Sequence, residues 1–124
     1  MPPALHTVVE TPEFRAKARR LLSDGERLGL IDYLAAHPDA GDPIPGTGGA
    51  RKLRWALAGM GKRGGARVIT FYSGSAIPVF LLSVFGKNEK ADLTAGERNE
   101  LRQVLSELVD TYRKGATGHG QGRR

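Results

Sequence analysis

Residues 66–85 carry the sequence ARVITFYSGSAIPVFLLSVF, and this stretch decides the fold. Its first part, Ala66 to Tyr72, has the β-branched and aromatic composition of a strand. Ser73-Gly74-Ser75 then supplies a turn, and Pro78 to Phe85 is the most apolar segment of the chain. We therefore expect a β-hairpin whose second arm is the central strand of a sheet.

A third predicted strand precedes the hairpin and runs from Arg51 to Leu57. Side chains alternate between the two faces of a strand, so Lys52 and Arg54 share one face. Leu53 and Trp55 point to the other face. One face of this strand is therefore expected to be cationic, and the opposite face is expected to pack into the core.

The N-terminal half predicts a short strand followed by two helices. His6 to Glu10 alternates weakly, and Thr11-Pro12 offers an N-cap with a proline at the first helical position. Gly25 permits a break before the second helix, which Pro38 ends near His37. The apolar residues at helical spacing, expected to be buried, are Phe14, Ala18, Leu21 and Leu22 in the first helix and Leu28, Ile31, Leu34 and Ala35 in the second.

The remaining segments predict a surface loop over residues 38–50, a last helix and a tail. Within the loop, residues 45–49 (PGTGG) suggest a phosphate-binding loop but lack its Lys-Ser/Thr ending and lead into a strand, which favours a structural turn. Thr94 and Glu97 form a capping box for the last helix. The apolar stripe of that helix consists of Leu101, Val104, Leu105, Leu108 and Tyr112. The predicted order is β-α-α-β-β-β-α, a single α+β domain over residues 1–113, and the glycine-rich basic residues 114–124 are expected to be disordered.

Composition excludes several classes of function. The chain has 124 residues, enough for one domain, and no cysteine, which excludes a thiol nucleophile and a cysteine-ligated metal. His6, His37 and His119 lie far apart and without metal-ligand spacing, so we expect no metal and no cofactor. The longest apolar run is too short to span a bilayer, and no signal peptide is visible. The expected location is the cytoplasm, with no membrane partner.

Positive charge is concentrated in the middle of the chain. The net charge is +6, and residues 51–90 hold eight basic residues against Glu89 alone. Such a run is either a solvated face or the binding surface for a polyanion such as RNA or DNA. Binding to a membrane surface is disfavoured, because the basic residues do not fall on one amphipathic helix.

Four of these cations are candidates for chemistry on a phosphate. Adjacent strands can bring Lys52, Arg54, Arg67 and Lys87 onto one concave surface. Cleavage of RNA needs little more, because the 2′-hydroxyl of the substrate is the nucleophile and cations stabilise the charge that develops on the phosphorane oxygens. A solvent-facing sheet surface is the alternative. Candidate RNA-binding residues are Arg51, Lys62, Arg63, Tyr72 and Lys90. Tyr72 either stacks on a base or donates a proton, or it packs in the core.

Four motifs in order carry a family resemblance: Glu10-Thr11-Pro12 with Phe14, residues 45–55 (PGTGGARKLRW), residues 61–69 (GKRGGARVI) and residues 87–94 (KNEKADLT). Together they resemble the HigB-like branch of the RelE/ParE toxins, which belong to bacterial type II toxin–antitoxin systems. The similarity runs from about Thr7 to Tyr112 and covers nearly the whole predicted domain.

The resemblance implies a microbial RNase fold, with two N-terminal helices packed on a twisted, mostly antiparallel sheet and a C-terminal helix. It implies an endoribonuclease that cuts mRNA in the ribosomal A site without metal and leaves a cyclic phosphate. Its partners are the ribosome, mRNA and a cognate antitoxin, expected to be a helix-turn-helix protein. The basic catalytic positions of the family correspond to Lys52, Arg54, Arg67 and Lys87.

Two departures from RelE concern the general acid and base. Asn88 stands where RelE has a second basic residue, and the tyrosine that follows in RelE has no counterpart among residues 91–93. Lys90 and Tyr72 are the candidates to replace them. Two other functions stay open: a ParE-like inhibitor of DNA gyrase that is not a nuclease, and an attenuated relative that only binds RNA or its antitoxin. ParE-type members generally lack the basic cluster on the sheet, which favours cleavage.

Overall fold

The computed structural model describes residues 5–57, 65–74, 76–87, 89 and 92–118, which form three helices and five strands. The elements are β1 (Val8–Glu10), α1 (Pro12–Leu21), α2 (Asp24–Ala36), β2 (Asp42–Pro43), β3 (Ala50–Trp55), β4 (Ala66–Phe71), β5 (Val79–Gly86) and α3 (Ala95–Gly118). The strands form one open sheet in the order β1-β5-β4-β3-β2. Within these residues β1 and β5 pair in parallel and the other neighbours are antiparallel. The predicted α+β class is confirmed.

The sheet differs from its prediction in two respects. The two-residue strand β2 lies inside the predicted surface loop, because Asp42 and Pro43 pair with Lys52 and Arg51 of β3. The middle strand is β4 rather than β5, because β1 pairs with the outer edge of β5 and β2 adds a strand beyond β3.

The boundary between α1 and α2 is set by a capping residue and not by the glycine that was expected to break the helix. Ser23, and not Gly25, separates α1 from α2: the Ser23 N–H donates to the Glu26 carboxylate (2.8 Å), and the Glu26 N–H donates to the Ser23 hydroxyl (3.1 Å). This capping box places Gly25 inside the first turn of α2. The predicted caps at Thr11 and Thr94 are confirmed, since each hydroxyl accepts an N–H from the residue three positions later.

The last helix is longer than predicted. α3 continues to Gly118 and so includes the first residues of the tail that was expected to be disordered; residues 119–124 lie outside the described part of the chain. None of the helices formed by the described residues combines the length and the apolar character needed to cross a bilayer.

The sheet buries a core on each face. Helices α1 and α2 cover the face that we call the α1/α2 face, and its buried side chains include Phe14, Ala18, Leu30, Leu34, Val68, Val79, Leu81 and Val84. Helix α3 covers part of the other face, here the α3 face, and its buried side chains include Ala50, Ile69, Phe71, Phe80, Phe85 and Leu105. Three residues predicted to be buried are exposed instead: Leu28, Val104 and Tyr112. Of these, Tyr112 still contacts the sheet, because its ring lies 5.7 Å from that of Phe80 in an edge-to-face arrangement.

The start of helix α1 continues the contacts of β1 with the outer edge of β5. β1 ends at Glu10, and the next residue, Thr11, directs its N–H to the Leu81 carbonyl (3.1 Å). The Thr11 hydroxyl lies 2.8 Å from the Leu81 carbonyl oxygen and 3.1 Å from that of Leu82. Leu82 is the extra residue of a β-bulge, because Ile69 pairs with Ser83 whereas the next residue of β4, Thr70, pairs with Leu81. The bulge therefore places Leu82 and Ser83 on the α3 face together.

Candidate nucleic-acid interface

Three strands bring the predicted catalytic cations to one end of the sheet. Arg54 of β3 lies directly opposite Arg67 of β4, so their Cα atoms are about 5 Å apart. Lys52 lies two positions from Arg54 on the same face. The Lys87 N–H donates to the Gly65 carbonyl (3.1 Å), which places Lys87 beside the start of β4. We call Lys52, Arg54, Arg67 and Lys87 the basic cluster.

The α3 face changes from apolar to cationic along the strands. Its cross-strand rows are Ala50–Phe71–Phe80, then Lys52–Ile69–Ser83, then Arg54–Arg67–Phe85. The first row is buried beneath α3, and its neighbours in the core include Leu105. The third row carries two arginines, one exposed and one half-buried. The sheet thus offers charge at the end that α3 leaves open.

The two arginines have no acidic partner in the described part of the chain. Neither Arg54 nor Arg67 forms an ion pair with any of these residues, although like charges that are directly opposed across an antiparallel pair destabilise it. A guanidinium presents planar, paired N–H donors that match the oxygens of a phosphate. An anion bound between the two guanidinium groups would reduce their mutual repulsion and accept hydrogen bonds from their N–H groups.

Lys52 differs from the arginines because a carboxylate holds it. Its ammonium lies 3.3 Å from the Asp92 carboxylate. The N–H of Leu93, which donates to Asp92 at 2.8 Å, and secondarily Lys52 hold the pKa of Asp92 below its usual range. Asp92 is therefore ionised at neutral pH and pairs with the Lys52 ammonium.

Two of the predicted RNA-binding residues, Arg51 and Tyr72, lie in the described part of the chain, and neither joins the basic cluster. By strand alternation Arg51 lies on the α1/α2 face, where its guanidinium donates to the Gly41 carbonyl (3.3 Å). Tyr72 packs against the α1/α2 core with its ring 5.5 Å from that of His6, so its packing role is the one observed. Lys62, Arg63 and Lys90 lie outside the described residues.

Two charged residues near the cluster were missed by sequence reasoning. Lys17 of α1 donates to the Ser83 hydroxyl at 3.1 Å and pairs with Glu13 at 3.0 Å, which places a further cation beside the Lys52–Ile69–Ser83 row. The second is Asp92. The Lys17–Ser83 and Lys52–Asp92 contacts join residues far apart in the chain, so no local sequence pattern indicates them.

The glycine-rich loop before β3 is a structural turn, as predicted. The hydroxyl of Thr47, fully buried, donates to the Ile44 carbonyl (2.7 Å) and accepts the Ala50 N–H (3.0 Å). A β-carbon on Gly49, whose φ is +128°, would lie 3.0 Å from a ring carbon of Phe71. These contacts close the loop on itself, and it leads into a strand rather than into a helix N-terminus.

Neither a metal site nor a family match adds to the basic cluster. In the described ranges no three histidine, aspartate or glutamate side chains come together in a way that could hold a metal ion. No protein-family model matches the chain.

Proposed function

We propose that this protein is a ribosome-dependent endoribonuclease, the toxin of a type II toxin–antitoxin system, which cuts mRNA in the ribosomal A site and inhibits translation. The opposed pair Arg54 and Arg67, with Lys52 two positions away on the same face, carries the proposal. The resemblance to the HigB-like branch of the RelE/ParE toxins and the α+β architecture support it.

In this reaction the protein mainly has to position the RNA and to supply positive charge near the phosphate. The 2′-oxygen of the substrate attacks the adjacent phosphorus, and the bond from phosphorus to the 5′-oxygen breaks. The products are a 2′,3′-cyclic phosphate and a 5′-hydroxyl, so the 2′-hydroxyl loses a proton and the leaving oxygen gains one. Arg54 and Arg67 would bind the non-bridging oxygens, whose negative charge grows in the transition state. In this proposal side-chain cations, and not a metal ion, carry that stabilisation.

Lys52 and Asp92 have different roles in this scheme. The Lys52 ammonium would approach the phosphate from the neighbouring position on β3, held there by the Asp92 carboxylate. Because the pKa of Asp92 lies below its usual range, this carboxylate is a weak base, and we assign it as a positioning residue. Dependence on the ribosome follows naturally if ribosomal RNA helps to orient the 2′-hydroxyl and to move the protons.

The partners follow from the charge. A surface whose arginines pair with no carboxylate of the described residues suits mRNA and ribosomal RNA, and the same surface suits the acidic or helical part of an antitoxin. In this proposal the protein acts in the cytoplasm, where ribosomes translate. An antitoxin that covers Lys52, Arg54 and Arg67 would block the substrate directly, whereas one that leaves them open would act by excluding the toxin from the ribosome.

The decisive test is primer extension on mRNA from cells that express the protein. We expect cuts at in-frame positions that correspond to ribosomal A sites, with loss of cutting for Arg67→Ala. Arg15→Ala, which removes an exposed arginine from α1, is the matched control and should cut like the parent. Supercoiling defects without any cuts would overturn the proposal in favour of gyrase inhibition. Intact mRNA and normal supercoiling would leave a protein that only binds RNA or its antitoxin, which also contradicts cleavage.

A further inference from the structure

A groove of about 690 Å³ runs over β5 between α1 and α3, and the proposed phosphate chemistry does not use it. Its floor is apolar and includes Ile69, Leu82 and Leu93; one wall contains Pro12 of α1 and the other contains Val104 of α3. Val104 is 49% exposed, although valine is among the residues most often buried. The volume lies within the range of small-molecule sites.

The groove is continuous with the basic cluster. Two of its floor residues, Ile69 and Ser83, belong to the row that begins with Lys52. Neighbouring strands are about 5 Å apart, so the groove opens one to two strand spacings from the Lys52 position. The segment from Asp92 to Leu93 borders both regions, since Asp92 pairs with Lys52 and Leu93 lines the groove. A group in the groove and a phosphate on the cluster can therefore belong to one ligand.

The charge of the groove differs from that of the cluster. Glu13, Glu97 and Glu100 stand at its rim and disfavour a phosphate. Glu13 pairs with Lys17 and Glu97 accepts the Thr94 N–H, so Glu100 is the carboxylate that we assign to a base. Carboxylates instead accept hydrogen bonds from the amino groups of nucleobases, and apolar side chains pack on the π-faces of bases. Lys17, held against Ser83, offers a donor to a base carbonyl or ring nitrogen on the same floor. The groove has an apolar floor and an acidic rim, and the cations of the basic cluster lie beside it. This combination matches one nucleotide, with its base in the groove and its phosphate on the cluster.

We propose that this groove is a nucleobase subsite that selects the base next to the scissile phosphate and prefers bases with an amino group to uracil. This inference rests on the proposed function, because the phosphate of the same nucleotide is assigned to the basic cluster. The groove supplies sequence preference, and the cluster supplies affinity for any phosphate.

The test is a titration of the full chain, followed by the amide chemical shifts of the groove residues. The probes are the 5′-monophosphates of adenosine, cytidine, guanosine and uridine, with ribose 5-phosphate as the probe that lacks a base. Stacking and packing of a base predict that an amino-bearing nucleotide binds about tenfold more tightly than ribose 5-phosphate. Its binding should shift the signals of Leu82, Leu93 and Leu101.

Two groove variants and one control variant separate the groove from the cluster. Val104→Phe narrows the groove from an exposed position and should reduce nucleotide affinity to that of ribose 5-phosphate, whereas Leu28→Phe adds the same ring type to an exposed position on α2 and should change nothing. Glu100→Gln should abolish the preference for amino-bearing bases over uracil. The amide spectra show directly whether each variant is folded.

The two proposals fail in different ways. If nucleotides bind no more tightly than ribose 5-phosphate, or if Val104→Phe leaves their affinity unchanged, the subsite is overturned while the cluster stands. If a basic helical peptide, and no nucleotide, shifts the groove signals, the groove is a protein-binding site and the subsite is likewise overturned. If Arg67→Ala leaves the affinity for ribose 5-phosphate unchanged, the proposed function itself loses its phosphate site.

Discussion

Arg54 and Arg67 occupy directly opposed positions on adjacent antiparallel strands, and no carboxylate of the described residues pairs with either one. Directly opposed like charges cost a protein stability, whereas most changes of a surface side chain have little effect. The opposed arginines are therefore expected to lower the stability of the protein when no anion is bound.

Removing one charge of the pair should stabilise the protein slightly. Arg54→Gln or Arg67→Gln keeps much of the aliphatic stem and removes the repulsion. We therefore expect the free energy of unfolding to stay unchanged or to rise by up to about 1 kcal/mol, with a Tm that is unchanged or higher. The gain should shrink in high salt, because salt screens the repulsion. Thermal unfolding at low and high ionic strength measures it. A loss of several degrees in Tm at both ionic strengths would show that the arginines hold the sheet together.

The same pair should be essential for cleavage. Arg67→Ala is expected to slow single-turnover cleavage on programmed ribosomes by roughly a hundredfold or more, the scale for loss of one electrostatic stabiliser. Arg67→Lys should recover only part of the rate, because a lysine lacks the paired donors. Arg15→Ala serves as the control for loss of one positive charge. An Arg67→Ala variant that folds and cuts at the parental rate would remove this residue from the active site.

Binding to RNA should depend steeply on salt. Each phosphate contact releases counterions, so the logarithm of the affinity for single-stranded RNA should fall linearly with that of the salt concentration. Loss of Arg54 or Arg67 should lower this slope by about 0.7 each. Filter binding across a salt series gives the slope. An affinity that is flat from low to high salt would contradict phosphate binding by the cluster.

The ion pair between Asp92 and Lys52 predicts a pH dependence. The pKa of Asp92 lies below its usual range, chiefly because of the Leu93 N–H and secondarily because of Lys52. The carboxylate therefore adds stability above its ordinary pKa of about 4, and that stability is lost as the pH falls through the lower pKa of the folded protein.

Asp92→Asn should accordingly lose less Tm than the parent between about pH 5 and about pH 2. The difference should be small, because the Asp92 side chain is half exposed and solvent screens the pair. At neutral pH the freed Lys52 should bind phosphate more tightly, which a titration with inorganic phosphate detects. Parallel pH profiles of Tm for parent and variant would show that the carboxylate does not contribute.

Two glycine substitutions should have opposite effects on stability. Gly49→Ala is expected to cost more than about 1 kcal/mol, because its φ of +128° suits glycine and the added carbon would meet Phe71. Gly25→Ala meets no neighbouring atom within 4 Å and should stabilise α2 by about 0.5 kcal/mol. Urea unfolding compares the two directly. If Gly49→Ala is neutral, the loop before β3 is more adaptable than its contacts indicate.

The parts of the fold that local patterns determine were predictable, and those that depend on distant pairing were not. Strand alternation placed Lys52 and Arg54 on one face, and the capping box at Thr94 located the start of α3. The parallel pairing of β1 with β5, which joins residues about seventy positions apart, leaves no local signal. The two-residue strand β2, which makes β4 and not β5 the middle strand, lies in a proline- and glycine-rich loop that shows no strand pattern.

The candidate site was likewise predictable where strand patterns determine it and not where it depends on distant contacts. The register of the hairpin and of the strand before it brings Arg54 opposite Arg67, and both residues were identified from the alternation and from the resemblance. Arg51 was predicted to bind RNA, yet strand alternation places it on the opposite face, where it donates to the Gly41 carbonyl. Lys17 approaches Ser83 only because α1 follows the edge of β5, so no pattern in residues 12–21 indicates it.

The brevity of the two outer strands limits how this protein can meet other chains. In the described residues β1 has three residues and β2 has two, one of which is Pro43 and has no N–H to donate. Beyond β1, the Thr11 N–H and hydroxyl already engage the open carbonyls of β5. A neighbouring molecule finds few main-chain groups on β1 and β2 with which to extend the sheet, so these two strands are poor templates for edge-to-edge pairing. A protein that docks on these residues must therefore select them by side chains.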